Sequence, residues 1–182
     1  AGRRLIGHKI GLTSRAMQRS SNISEPDYGA LLDDMLFANN ADIPISRFIE
    51  PRVEVELAFI LKDRLSGPGC TMFDVLNATD YVVPAIEIID ARIRRVDPDT
   101  GVTRKVYDTI ADNASSAGYV LGKARVSPAG LDVKAIDAVL TCDGEVIAEG
   151  RSGAVLGNPV TAVAWLARKM ESFGVRLRKG DV

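Results

Sequence analysis

Two glutamates at alternate positions of one extended segment, together with a third in a later apolar segment, are the residues best suited to joint chemistry. Glu54 and Glu56 occur in PRVEVELAFIL, residues 51–61. Because side chains alternate between the two faces of a strand, these carboxylates point the same way, about 7 Å apart along it. Glu87 stands among apolar residues in YVVPAIEII, residues 81–89. A buried carboxylate is costly unless it is protonated, paired or bound to a cation.

Each of these acids also has an ordinary explanation. Alternating glutamates are typical of a strand with one face in solvent. Here apolar residues continue the glutamate face and also form the opposite face, which includes Val53 and Val55, so we expect both faces to be covered. Glu87 has the alternative of an ion pair with an arginine that follows it, Arg92, Arg94 or Arg95. Because the two other acids also lack an evident partner, ligation of a hard divalent cation is favoured for Glu87.

The elements that must position these acids are short. Extended segments are predicted over residues 5–12, 42–48, 51–61, 81–89 and 119–121. Helices are predicted over residues 14–19, 71–78 and 159–173. The dipeptide Asp143-Gly144 predicts a tight hairpin turn between two further strands. Residues 108–116 are polar and compatible with a helix or with capping and turn roles.

Composition limits the kinds of partner and compartment. With 182 residues, of which 46% are hydrophobic, the chain can form one domain with a sizeable core. Its 23 basic and 24 acidic residues are mixed, which predicts neither a nucleic-acid nor a membrane-surface partner. Cys70 and Cys142 lack metal-type spacing and are expected to be reduced thiols. No apolar run approaches a membrane span, so a cytoplasmic protein is expected.

Five blocks of sequence, in order, resemble the 2-keto-4-pentenoate hydratase and 2-oxohept-4-ene-1,7-dioate hydratase family of the fumarylacetoacetate hydrolase superfamily. The blocks are GHKIGLTS (7–14), EPDYG (25–29), PRVEVELAF (51–59), AIEIIDAR (85–92) and DTIADNAS (108–115). The most specific part is Glu-x-Glu followed by a third glutamate 31 residues later. The resemblance covers nearly the whole chain, but full-length members extend further at both ends. We therefore expect residues 1–182 to be a single catalytic domain and a piece of a longer protein.

The resemblance implies a fold and a metal site. The fold is α+β, a mixed, mostly antiparallel β-sandwich or roll of the fumarylacetoacetate hydrolase C-terminal-domain type with short peripheral helices, which agrees with the many short strands predicted. The metal, Mg²⁺ or Mn²⁺, is expected to bind Glu54, Glu56 and Glu87, in agreement with the argument from buried acids.

The resemblance also assigns roles to three residues that nothing else in the sequence distinguishes. Lys9 and Asp27 are expected to reach the metal cavity as catalytic acid–base groups, and Asn113 is expected to contact substrate. Without the family, Lys9 is an ordinary strand lysine and Asp27 an ordinary turn residue.

The activity implied is the metal-dependent hydration of a 2-hydroxy-dienoate or its 2-oxo-enoate tautomer in aromatic-compound catabolism, with 2-oxohept-4-ene-1,7-dioate as the expected substrate. Decarboxylation of 4-oxalocrotonate and a non-catalytic partner subunit are the alternatives. A homo-oligomer that associates with a neighbouring pathway enzyme is expected. A dioate substrate would need a cation for its second carboxylate, and Arg3, Arg4 and Arg15 are candidates.

Overall fold

The computed structural model describes residues 2–182, which form an α+β fold of mostly antiparallel strands and short helices, as predicted. The strands are β1 (Leu5–Gly11), β2 (Asp27–Leu32), β3 (Leu36–Phe37), β4 (Arg52–Leu61), β5 (Thr79–Ile89), β6 (Ser116–Leu121), β7 (Asp137–Cys142) and β8 (Glu145–Arg151). The helices are α1 (Arg15–Ser20), α2 (Met72–Ala78), α3 (Val106–Ala111) and α4 (Pro159–Glu171). Two compact units divide the chain, the first Ala1–Glu54 with Ala85–Leu121 and the second Val55–Pro84 with Gly122–Val182.

In the first unit, β1 and β2 pair antiparallel, across a connection that contains α1, and bring Lys9 close to Asp27. The register pairs Lys9 with Gly29 and Gly11 with Asp27. Residues that lie two apart on a strand share a face, so the side chains of Lys9 and Asp27 project from the same side of the pair. Asp27 was expected in a turn but is the first residue of β2.

Strands β3, β6, β5 and β4 form a four-stranded sheet in that order. The strands predicted over residues 51–61 and 81–89 are confirmed as β4 and β5. The antiparallel pairing of β5 with β6 sets Glu87 opposite Tyr119. The expectation that both faces of β4 are covered is wrong for its first half, where Val53 and Val55 are 49% and 43% exposed. β4 is an edge strand of this sheet.

Residues 42–48 are not the strand that alternation of their isoleucines predicted. They contain a 3-10 turn at Ile45–Arg47, in which the Arg47 N–H donates to the carbonyl of Pro44 at 3.1 Å. Pro44 lacks the N–H that a strand ladder needs and its fixed φ suits the start of a turn, so local chemistry overrode the hydrophobic pattern.

The second unit is organised on α4. The helix begins at Pro159, as predicted, and the Val160 N–H donates to the Asn158 side chain at 3.0 Å. Small and branched residues on the inward face of the helix are buried. α2 packs against α4. Asp143 and Gly144, with φ of 51° and 88°, make the predicted hairpin turn between β7 and β8. α4 has 13 residues, and within residues 2–182 no helix combines the length and apolar character needed to cross a membrane.

Candidate metal and acid–base site

Three carboxylates on neighbouring strands converge. One oxygen each of Glu54 and Glu56 on β4 and of Glu87 on β5 lie within 4.8 Å of one another. Glu87 is buried and the other two are half-buried. A set of oxygen donors at this spacing suits a hard divalent cation. The fit extends to Glu87 Oε1, which is buried and has no hydrogen-bond partner within residues 2–182, since a cation would satisfy an acceptor of this kind.

Lys9 forms an ion pair with Glu87. Its Nζ lies 3.3 Å from Glu87 Oε2, and the two side chains are 10% and 6% exposed. Arg92, one of the arginine partners considered for Glu87, binds Asp112 instead, with Nε 2.8 Å from Oδ1. Lys9 therefore supplies a positive charge beside Glu87 at this site.

Asp27 is buried beside this group, 3% exposed. Burial raises the pKa of its carboxyl above the usual value of 3.8; the Lys9 ammonium opposes this and the Glu87 charge adds to it. Burial likewise raises the pKa of Glu54. Asp27 Oδ1 finds no hydrogen-bond partner among residues 2–182. An aspartate in this setting takes up a proton more readily than an exposed one, which favours a role in proton transfer.

Gly11 makes room for Asp27 and Lys9. A Cβ on Gly11 would overlap Asp27 Oδ1 and would lie 3.3 Å from Lys9 Nζ. No catalytic or binding role was predicted for Gly11 from the sequence. Its only signal was its place in the block GHKIGLTS, because the close approach depends on the β1–β2 register.

Asn113 is fastened to the backbone of β2. The Ala30 N–H donates to Asn113 Oδ1 at 2.6 Å, and Asn113 Nδ2 donates to the Ala30 carbonyl at 2.9 Å. Gly29 passes so close that a Cβ there would lie 2.6 Å from the Asn113 carbonyl oxygen. Asn113, Ala114 and Ser115 all have φ between 51° and 59°, a conformation that non-glycine residues adopt only when surrounding contacts impose it. Contact of Asn113 with a substrate stays a prediction.

Comparison with known proteins identifies relatives along the full chain. A family model described as fumarylacetoacetate (FAA) hydrolase C-terminal matches residues 7–182. Over 181 residues the chain is 56% identical to 2-oxo-hept-4-ene-1,7-dioate hydratase of Escherichia coli, covering 100% of this chain and 68% of that protein. It is 46% identical to 2-keto-4-pentenoate hydratase of Paraburkholderia xenovorans (strain LB400), covering 100% and 65%. The chain thus spans about two thirds of the length of these curated relatives.

A solved structure is also closely similar. It is 4-oxalocrotonate decarboxylase from Pseudomonas putida G7 complexed with magnesium and adipate, with a TM-score of 0.90 and 33% identity. The match covers 99% of this chain and 66% of that one. The same decarboxylase complexed with calcium and acetate has a TM-score of 0.89.

Replacing Asp27 by asparagine should stabilise the fold at neutral pH. Because the folded-state pKa is raised, Asp27 contributes stability that is fully present below its unfolded pKa and is lost as the pH rises through the folded value. Asparagine does not ionise, so in EDTA the variant should exceed the wild type in free energy of unfolding at pH 7 by about 1.4 kcal/mol for each unit of the rise. The difference should shrink as the pH falls toward 4. Urea denaturation across this range measures it.

Asp97→Asn is the control of opposite sign. Hydrogen bonds from the backbone and side chain of Thr100 lower the pKa of this exposed carboxyl, so the substitution should slightly reduce stability at neutral pH. If the wild type is the more stable protein at pH 7 in the Asp27 comparison, Lys9 stabilises the carboxylate by more than burial costs it, and the argument from burial is wrong.

Gly11→Ala should destabilise the protein by about 1–3 kcal/mol, because the new methyl group forces Asp27 or the β1 backbone to move. Gly150→Ala is the matched control, since Gly150 also lies in a strand and a Cβ there meets no atom within 4 Å. It should change stability by less than about 0.5 kcal/mol. Equal urea midpoints for the two variants would contradict the close approach at Gly11.

Proposed function

Because this chain belongs to the fumarylacetoacetate hydrolase C-terminal family, we propose that it is a metal-dependent hydratase. It adds water to a 2-hydroxy-dienoate or its 2-oxo-enoate tautomer, with 2-oxohept-4-ene-1,7-dioate as the substrate. The observation that carries the proposal is the convergence of Glu54, Glu56 and Glu87 within 4.8 Å, with Lys9 and Asp27 buried beside them. The hydratase names of relatives at 56% and 46% identity support hydration over other reactions of the fold.

Glu54, Glu56 and Glu87 are the residues that would hold Mg²⁺ or Mn²⁺. When bound, the cation supplies positive charge for the substrate's 1-carboxylate and 2-oxo oxygens, where negative charge develops. Lys9 fixes one oxygen of Glu87 by its contact at 3.3 Å and so keeps that carboxylate oriented. The buried setting of these groups strengthens each of their electrostatic interactions.

Lys9 and Asp27 handle the protons. In ketonisation the 2-hydroxyl loses a proton and C5 gains one, which leaves a 2-oxo-3-enoate. Water then adds across the remaining double bond, with hydroxide to C4 and a proton to C3. Asp27, whose pKa burial raises above its usual value, takes the proton from the attacking water, and the Lys9 ammonium donates a proton to the substrate.

Decarboxylation of 4-oxalocrotonate is the second candidate, favoured by the TM-score of 0.90 to a decarboxylase. It would use the same acids, because breaking the bond to the far carboxylate of 4-oxalocrotonate releases CO₂ and leaves its electron pair in a dienolate, whose negative charge lies on the 2-oxo oxygen next to the 1-carboxylate. Nothing in the positions of Lys9 and Asp27 separates the two reactions. The identities of the relatives rank hydration first.

The proposal extends to the protein's setting. We place it in the cytoplasm as a homo-oligomer that associates with a neighbouring enzyme of aromatic-compound catabolism, and residues 1–182 as one catalytic domain of a longer chain. The exposed valines on the edge strand β4 support burial of this surface against further protein.

Hydration is tested by following the ultraviolet absorbance of the dienoate with and without Mg²⁺. The expected result is Mg²⁺-dependent loss of absorbance, a 4-hydroxy-2-oxo acid identified by NMR, and no CO₂. Release of CO₂ from 4-oxalocrotonate without hydration would instead establish the decarboxylase. Inactivity on both substrates at saturating Mg²⁺ and Mn²⁺ would overturn the proposal.

Glu56→Gln should weaken Mn²⁺ binding and lower kcat together, each by about tenfold or more, because a neutral amide replaces a charged ligand of similar shape. Electron paramagnetic resonance titration with Mn²⁺ measures affinity independently of turnover. Glu50→Gln is the control, since Glu50 is 83% exposed and pairs with Arg52 at 3.6 Å. If the Glu56 variant binds Mn²⁺ with unchanged affinity, Glu56 is not a metal ligand and its role is structural.

A further inference from the structure

The side chain of Asn113 binds one edge of β2. The Ala30 N–H donates to Asn113 Oδ1 at 2.6 Å, and Asn113 Nδ2 donates to the Ala30 carbonyl at 2.9 Å. A residue of a neighbouring antiparallel strand makes the same pair of hydrogen bonds with its own backbone. Among residues 2–182, β1 and β2 form a sheet of two strands, so the amide of Asn113 takes the place of a third strand at this position.

The segment that carries Asn113 is fixed at both ends. Residues 113–115 have φ between 51° and 59°. The Arg92 guanidinium donates to the Asp112 carbonyl at 2.6 Å and to the Ser116 carbonyl at 2.9 Å, on the two sides of this segment. Non-glycine residues stay in a left-handed conformation only where surrounding contacts impose it, and such strain is concentrated at functional sites.

The part of β2 that Asn113 holds lies next to the proposed proton-transfer groups. Gly29, adjacent to Ala30, pairs with Lys9 in the β1–β2 register, and Asp27 comes three residues before Ala30. Gly29 also lies so close to Asn113 that a Cβ there would be 2.6 Å from the Asn113 carbonyl oxygen. A shift of β2 relative to Asn113 would therefore move Asp27 directly, and Lys9 through the strand pairing.

The surroundings of Asp27 and Lys9 tolerate little movement. Lys9 Nζ lies 3.3 Å from Glu87 Oε2, and a Cβ on Gly11 would already overlap Asp27 Oδ1. Proton transfer needs its donor and acceptor at hydrogen-bond distance, and a misplacement of about 1 Å can cost about a hundredfold in rate. The three glutamates lie on β4 and β5, which belong to a different sheet, so a shift of β2 leaves their strands in place.

We propose that Asn113 is a positioning residue, whose side-chain amide holds β2 at Ala30 and so keeps Asp27 and Lys9 in place for proton transfer. The inference rests on the proposed function. Positioning and direct contact with substrate have different kinetic effects. A lost substrate contact raises KM, whereas displaced acid–base groups lower kcat with little change in KM or in metal binding.

Asn113→Asp and Asn113→Gly remove the hold on β2 in two ways. An aspartate has the same shape and still accepts from the Ala30 N–H, but its second oxygen repels the Ala30 carbonyl at neutral pH. A glycine removes both hydrogen bonds and adopts the left-handed conformation without strain. With 2-oxohept-4-ene-1,7-dioate, kcat should fall about ten- to a hundredfold in both variants. KM, and the Mn²⁺ affinity measured by electron paramagnetic resonance, should stay within about threefold of the wild-type values.

Asn40→Gly is the matched control, since Asn40 is an exposed asparagine with a φ of 62°. It should leave kcat and KM at the wild-type values. Hydrogen exchange of the Ala30 amide, followed by NMR, reports the contact itself. Exchange should quicken by about tenfold or more in Asn113→Gly, because the acceptor of that N–H is lost, and should be unchanged in Asn40→Gly.

Wild-type kcat in both Asn113 variants overturns the inference, as does a raised KM at unchanged kcat, which would make Asn113 a substrate contact. Loss of Mn²⁺ affinity together with kcat, or failure of both variants to fold, also overturns it, because Asn113 would then support the whole unit.

The outcome for the proposed function is separate. If the wild type hydrates neither 2-oxohept-4-ene-1,7-dioate nor 2-oxopent-4-enoate, the proposed function fails, and crystal structures of the wild type and Asn113→Gly then decide on positioning. Displacement of Asp27 and Lys9 relative to Glu87 in the variant supports the role of Asn113, and unchanged positions overturn it.

Discussion

The buried contact between Lys9 and Glu87 is the interaction around which the first unit is arranged. Glu87 lies among two further carboxylates and near Asp27, and a fold that buries so many like charges needs at least one fixed counter-charge. β1 delivers that charge from a position 78 residues earlier in the chain. The antiparallel pairing of β1 with β2 therefore fixes Lys9 and Asp27 with respect to each other, while β4 and β5 fix the glutamates.

Hydrogen bonds outside the acidic cluster hold these strands in place. The Asn113 side chain makes hydrogen bonds to both the N–H and the carbonyl of Ala30. The Arg92 guanidinium donates to the Asp112 carboxylate and to the Ser116 carbonyl at the start of β6. Such contacts keep the left-handed residues 113–115 in a conformation they would otherwise leave. A site that must hold carboxylates within a few ångströms needs supporting residues of this kind, because small displacements change both metal binding and proton transfer.

Asp27 and Glu54 reduce stability at neutral pH, since burial raises the pKa of both carboxyls. The second unit shows the opposite character. The inward face of α4 is almost fully buried, with Val160, Ala164 and Ala167 at most 2% exposed, and the helix begins with a side-chain cap and a proline. The packing that stabilises the protein and the buried carboxyls that destabilise it thus lie in different parts of the chain. Such a division is expected where residues are kept for function and not for stability.

The sequence by itself determined the elements whose signals are local. The glutamate strand, the strand that carries Glu87, the Asp143-Gly144 hairpin and α4 with its Asn158 cap all follow from periodicity, turn chemistry and capping within a few residues. Ordered blocks of sequence also identified the family. Only the tertiary structure decided that Lys9, rather than Arg92, is the partner of Glu87, that Asp27 begins a strand opposite Gly11, and that Asn113 binds the backbone of Ala30. These facts depend on which strands pair and in what register, and contacts between residues some 80 positions apart leave no trace in the local pattern of either segment.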